Sequence, residues 1–494
     1  MRSMTAQRPL VIALVGALVV VVVGTIFTHV FTKPSVAPVV IEPIASSVLL
    51  CPEPGAGSQL GVRVTAAVVP GQPGQRAGSG SAGLQTLPGA HQRSVSIRTP
   101  GGQAEVLAFG TKLPPIRAFG EGNLAPGFIA DQWGRAPRGA GRGMASTACA
   151  PAGADFWFVG GGAVAGRVTK VVLVNPDDSP AVVDVQVLGP QGLLSAPGGR
   201  GLVVPASSRT VVRLDVLAPG VKATALHVIA RSGRVGASVE DQQLSGLNVI
   251  GTDWIPAAAP PSTDVYVPGV MPGKGARVLS IAAPGQTDAT VNLRVLTPSG
   301  SFAPADRSTI TVPGQSVVNL DLSSVIGQVP ATLQLSSSVP VVAGMREFFG
   351  TSSVQDETAY SAGAQPLTTT AAVSGLPVRP STNVSVAVSA PAGDVTVKLE
   401  LLPYTGGSQA SAPTSIRLIH VPSGQVVNTV ISTPNASWFT AVVTPQAGSG
   451  PYLVAHEVRE SSSYGDLVTG YPWPALRTLV QVPHTTGDPA LSVQ

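Results

Sequence analysis

Charge is scarce in this sequence. Asp, Glu, Lys and Arg make up 11% of its 494 residues, against about 25% in an average soluble chain. The net charge is +4 and the arginines are scattered, so no nucleic-acid partner is expected. Long stretches with Glu, Lys and Leu at helical spacing are missing as well, which excludes a helical bundle. The six histidines, His29, His91, His227, His420, His456 and His484, stand far apart. None has a carboxylate or a second histidine at zinc-ligand spacing, so no metal is expected.

Catalytic signatures are equally scarce. No serine sits in a G-x-S-x-G elbow between a strand and a helix. Gly160, Gly161, Gly162 and Gly166 miss the G-x-G-x-x-G spacing by one residue and run on into a β pattern. They read as a turn, and no cofactor is expected. Asp177-Asp178 lacks the glycine and distal glutamate of a calcium loop. Glu240-Asp241, Glu347, Glu457 and Glu460 close matching segments and read as a shared edge or turn position, not as a catalytic dyad. The expectation is a chain that is not an enzyme.

What the sequence does have is glycine (56), proline (46) and many short runs of valine, threonine and serine. Apolar residues alternate with polar ones in Val182-Val183-Asp184-Val185-Gln186-Val187 and Val211-Val212-Arg213-Leu214-Asp215-Val216. This period of two, broken by turn residues, predicts an all-β protein.

Residues 10–31 contain no ionisable side chain except His29, and a helix needs roughly 20 apolar residues to span a bilayer. The segment is longer than the usual apolar region of a cleaved signal peptide, which is the competing reading, and is read as a signal anchor. Arg2 and Arg8 precede it, which places residues 1–9 in the cytoplasm and the bulk of the chain outside. In that oxidising compartment Cys51 and Cys149 are expected to form a disulfide, with two free buried thiols as the alternative.

A repeat of about 107 residues organises the rest. The same short apolar strand opens each copy: Val48-Leu49-Leu50-Cys51, Phe156-Trp157-Phe158-Val159, Val265-Tyr266-Val267, Ala371-Ala372-Val373 and Leu479-Val480-Gln481-Val482. A Pro-rich linker, residues 32–45, leads to a divergent first unit, 46–151, then units at 152–262 and 263–369, and a fourth at 370–494 with a terminal strand. The second unit counts seven strands, near Phe156, Thr169, Ala181, Gly201, Ser208, Ala225 and Arg234, which predicts an immunoglobulin-like or fibronectin-like β-sandwich. Propeller blades take about 40 to 50 residues, so units of this length favour beads in a row over a ring. The terminal strand is expected to complete the last unit or to close such a ring. Trp133, Trp157, Trp254 and Trp473 fall near the junctions between units, whereas Trp438-Phe439 lies inside the last one and is the candidate ligand contact.

Cys51-Pro52, Ala148-Cys149-Ala150-Pro151, Asp155-Phe156-Trp157-Phe158-Val159-Gly160, and the unit from Val174-Asn175-Pro176 to Leu188-Gly189-Pro190 resemble an actinobacterial membrane-anchored family, the domain of unknown function 5719. The resemblance implies a cell-envelope location and no reaction. The functional expectation is a non-enzymatic, single-pass membrane protein whose extracytoplasmic array is structural or binds an envelope protein. A cell-wall glycan-binding protein is the alternative, and a glycan-processing enzyme comes third.

Overall fold

The computed structural model describes residues 40–52, 60–75, 78–88, 92–108, 114–139, 141–246, 248–350, 357–407, 412–432 and 435–482. Among them the chain is nearly all strand, with two single-turn helices, Leu214–Leu217 and Ser323–Ile326, and one 3-10 turn, Pro197–Gly199. No helix among the described residues is long and apolar enough to cross a membrane. The segment 10–31, the N-terminus before it and residues 32–39 of the linker lie outside them.

The alternating runs form pairs of sheets, each closing on a core. In Ala289–Thr297 the side chains alternate between buried and exposed over the first six positions, as a strand with one face on a core requires. In the first unit, Ala150–Pro151, Ser46–Cys51, Ile116–Gly122, Gly80–Thr86 and Ser94–Ile97 face Gln103–Ala108, Gly61–Val68, Phe128–Ala136 and Gly143–Ala148. Leu50, Val64, Leu84, Ile97, Ile116 and Phe128 fill the space between. The second and fourth units repeat this plan. The third varies it: Ala331–Phe349 is one 19-residue strand that passes through both sheets. Its first part pairs with Ser262–Val270 and Ala289–Thr297, its second with Arg277–Ala282 and Glu357–Ala362.

The seven strands expected in the second unit are present, with a two-residue strand, Gly192–Leu193, inserted after the third, and a further strand, Asn248–Ile255, follows them. Its counterparts are Gly143–Ala148, Glu357–Ala362 and Leu467–Thr469, and the four converge on one axis. The units are therefore not beads in a row. The opening strand of each packs on the closing strand of the next: Ser46–Cys51 on Gly236–Ser245, Asp155–Val159 on Ala331–Phe349, and Ser262–Val270 on Leu453–Glu460. The circle is completed by Ala371–Pro377 of the fourth unit on Phe128–Ala136 of the first. The blade-length argument failed because the repeating wedge is a whole sandwich instead of a single sheet.

The terminal strand does neither of the things expected of it. Leu479–Val482 pairs with Val40–Pro43 in a two-stranded sheet, part of a compact unit of its own. Residues just before it complete the fourth unit: Ala475 bridges to Ala371, and the Leu476 N–H donates to the Thr370 carbonyl at 2.7 Å. Cys51 and Cys149 are bonded, closing a 98-residue separation inside the first core, and the described residues contain no free cysteine.

Candidate functional site

Two of the four closing strands carry an acid at the same rung of the ladder, Asp241 opposite Thr169 and Glu347 opposite Arg277. That rung holds Trp133 opposite Arg63 in the first unit and Val458 opposite Val384 in the fourth, and the first unit's acid, Asp131 opposite Thr65, lies two residues before it. The equivalence read from the repeat thus holds for Asp241 and Glu347, but the position is neither an edge nor a turn. A closing strand has a neighbour on each side, so these carboxylates are buried. Glu457 and Glu460 occupy other rungs.

A buried carboxylate is costly unless hydrogen bonds replace its water, and here the neighbouring wall supplies them. Asp241 meets Arg167 at 3.1 Å and accepts the hydroxyl of Tyr360 from the third unit. Glu347 lies 3.2 Å from Arg277 and accepts the Met271 N–H at 2.8 Å. Burial pushes Glu347 up to about 7, with Arg277 pulling the other way.

The seam between the first and fourth units is the most elaborate. Ser374 donates its N–H (2.6 Å) and its hydroxyl (2.8 Å) to Asp131, and the Tyr471 hydroxyl donates at 2.5 Å. Burial nevertheless holds Asp131 up at about 6. The Trp133 indole N–H donates to the Ser374 carbonyl at 2.9 Å. Behind it His456 is boxed by Trp133, Tyr471 and Trp473, whose indole N–H donates to His456 Nδ1 at 2.9 Å. Burial lowers His456 to about 3, so the ring is neutral.

Outward from this box the seam opens into a cavity of about 140 Å³. Its floor is Val62, Leu107, Trp133, Met144 and Pro377, and its polar wall is Arg63, Arg135, Arg379 and Glu460. Glu460 is almost fully buried and held from two sides. Arg135 Nε reaches both of its oxygens, at 2.8 and 3.0 Å, and Arg379 Nη1 lies 3.4 Å away. Arg63 donates from Nη2 to the Gly375 carbonyl at 3.2 Å, while its buried Nε has no partner. Burial brings the Arg63 guanidinium down to about 10; Glu105 opposes this and the nearby charge of Arg379 adds to it. Three guanidinium groups thus line one cavity, and two of them, Arg135 and Arg379, share its carboxylate.

A second polar cluster lies on the axis. Asp253 of the second unit accepts the Ser146 N–H of the first (3.2 Å), the Thr469 hydroxyl of the fourth (3.0 Å) and the Trp254 N–H (2.8 Å). Glu357 of the third unit accepts the Thr358 N–H at 3.0 Å and faces Arg142 at 4.0 Å. Burial pushes both carboxyls well above their usual range, and the Glu357 charge pushes Asp253 further. With side chains sealed from solvent, the cluster ties four units together and offers no access to a substrate.

Trp438 and Phe439 are not on the surface. Both are fully buried in the fourth unit; the Trp438 indole donates to Glu105 at 2.9 Å and its ring stacks on Tyr404 at 4.3 Å. Neither ring has a face free for a ligand, because the first unit covers this strand. Trp133 and Trp254 do sit at junctions: Trp254 belongs to the first unit's core although the second unit supplies it.

The family of unknown function DUF5719 matches residues 95–419, well over half of the chain. The chain belongs to that family. No curated protein matches it. Among solved structures, "Crystal Structure of Thermotoga maritima 1070" matches at 14% identity over 22% of this chain and 94% of that one, with a TM-score of 0.19. The DUF5719 match contains the second and third units entire and stops short of Glu460.

Reasoning from the DUF5719 sequence missed Arg63, Arg135 and Arg379. Arg63 and Arg135 are single arginines in strands and Arg379 lies in the connection after Ala371–Pro377, and the four wall residues come from widely separated parts of the chain. The only local signal was Glu460, which the sequence groups with Glu457 at the end of the last closing strand.

Proposed function

We propose that this protein is a non-enzymatic component of a bacterial cell envelope. In this reading residues 10–31 anchor it as a single transmembrane helix, and four immunoglobulin-like or fibronectin-like sandwiches stand outside as a rigid platform that binds other envelope components. The observation that carries the reading is the closed ring: four units locked through buried polar seams make a stiff body that presents its outer loops in fixed relation. The buried Cys51–Cys149 bond supports an oxidising location. The cleft at the seam between the first and fourth units supports a binding role over hydrolysis, since the single carboxylate in its lining, Glu460, is already engaged by two arginines.

Two fusions in a bacterial host test the topology. Alkaline phosphatase fused after Gln494 is expected to be active and a cytoplasm-dependent fluorescent protein at the same place to be dark; the reverse pattern overturns the reading. Cross-linking in intact cells then identifies what the platform holds.

A further inference from the structure

We propose that the cleft between the first and fourth units is a binding site for a small anionic group, a carboxylate or a phosphate ester carried on a short apolar or sugar stem. The inference rests on the cleft alone and is independent of where the chain resides.

Charge comes first. Arg63, Arg135 and Arg379 converge on one cavity, with Glu460 in its lining and Glu105 near Arg63 as the opposing charges. Arg135 and Arg379 share the Glu460 carboxylate. Arg63 is tied to a neutral acceptor, the Gly375 carbonyl, and its Nε is buried without a partner. A guanidinium presents five donors in a planar fork that matches a carboxylate or phosphate in paired hydrogen bonds.

Shape comes second. The cavity is about 140 Å³ and is floored by Val62, Leu107, Met144, Pro377 and the Trp133 ring. That is room for an anionic head and a few further atoms, with apolar surface for a stem to cover. The outer arginines are partly exposed, Arg135 by 34% and Arg379 by 43% of their side chains, so a ligand can enter. Rigidity comes third. Trp133 is fixed by its bond to Ser374, and Arg63 and Trp133 are cross-strand partners in one ladder. The fork is therefore in place before the ligand arrives, which lowers the ordering cost of binding.

The test uses the full chain in detergent, titrated calorimetrically with inorganic phosphate and, separately, with succinate, each at constant ionic strength in chloride. Saturable one-to-one binding of at least one is expected; the stronger arm tells phosphate from carboxylate chemistry. Arg63→Gln and Arg379→Gln are each expected to weaken it roughly tenfold to hundredfold. Arg379 is at the rim, so that variant is expected to keep the wild-type unfolding midpoint. Glu460→Gln is expected to strengthen binding by releasing two arginines, an effect that loss of structure does not produce. Binding no better than chloride, or equal binding by wild type and both arginine variants, overturns the proposal.

Discussion

Burial holds Asp131 up at about 6 while the unfolded chain titrates it near 3.8, so between those values the fold keeps a proton that the unfolded chain has released. Stability from this group is therefore complete below about pH 4 and is lost as the pH rises through 6. On the scale of 1.36 kcal/mol per unit, the change is about 3 kcal/mol. His456 works in the opposite sense: the fold keeps it neutral, with its value depressed to about 3, and it costs stability as the pH falls below about 6.5. A comparison of wild type with Asp131→Asn cancels every other group. Urea unfolding is expected to show the two free energies diverging by about 3 kcal/mol between pH 7 and pH 4, wild type gaining as the solution is acidified. Parallel pH profiles would show that Asp131 is not the group involved.

Between elements, what permits the seams is glycine at the end of an opening strand. Gly375 has φ 80°, and a Cβ there would stand 2.4 Å from Trp133 Nε1 and 2.5 Å from Thr65 Oγ1. Gly269 occupies the corresponding place one seam earlier, with φ 72° and a Cβ position 2.4 Å from that of Ala455. Gly375→Ala adds the strain of a left-handed alanine to an overpacked contact, together about 2 to 4 kcal/mol of destabilisation. Gly448→Ala is the control, because its φ is 83° but nothing lies within 4 Å. It is expected to lose no more than about 2 kcal/mol. Equal losses at the two sites in urea unfolding would mean that the close approach at the seam is unimportant. Elements were also where sequence reading worked best. Runs such as 182–187 have period two because one face meets a core, and that signal is local. The last strand of the second unit, Asn248–Ile255, was missed because it is made for neighbours in other units. Thr252, Asp253 and the glycine at 251 look like a turn until Gly143 and Glu357 are packed against them.

At the level of the whole molecule, the cores do not respect the boundaries of the repeat. Val172, Val174 and Trp254 of the second unit belong to the first unit's core, and Trp133 and Met144 of the first belong to the fourth's. Local sequence gives the content of each unit but not this sharing, which depends on residues hundreds of positions apart. The cleft was illegible for the same reason: Arg63 and Arg135 meet Arg379 and Glu460 only when the circle closes. Shared cores predict that circular dichroism and tryptophan fluorescence report one coincident unfolding transition. The Cys51–Cys149 bond closes 98 residues, and a loop of about 100 residues is worth about 4.7 kcal/mol in the chain-entropy treatment. Replacing both cysteines by serine is expected to lower the midpoint while the two probes still coincide. A separate early transition in the double variant would mean that the first unit stands apart from its neighbours.

The chain enters the ring at Ile44 and leaves it at Thr478, and the Ile44 N–H donates to the Thr478 carbonyl at 3.0 Å. Start and finish are thus one place on the molecule, and the ring itself has no privileged first unit. A gene rewritten to begin at the Pro260-Pro261 junction, with the old ends joined through a short linker, would encode the same architecture. The order in which the four units leave the ribosome is therefore open to exchange without altering the body they build.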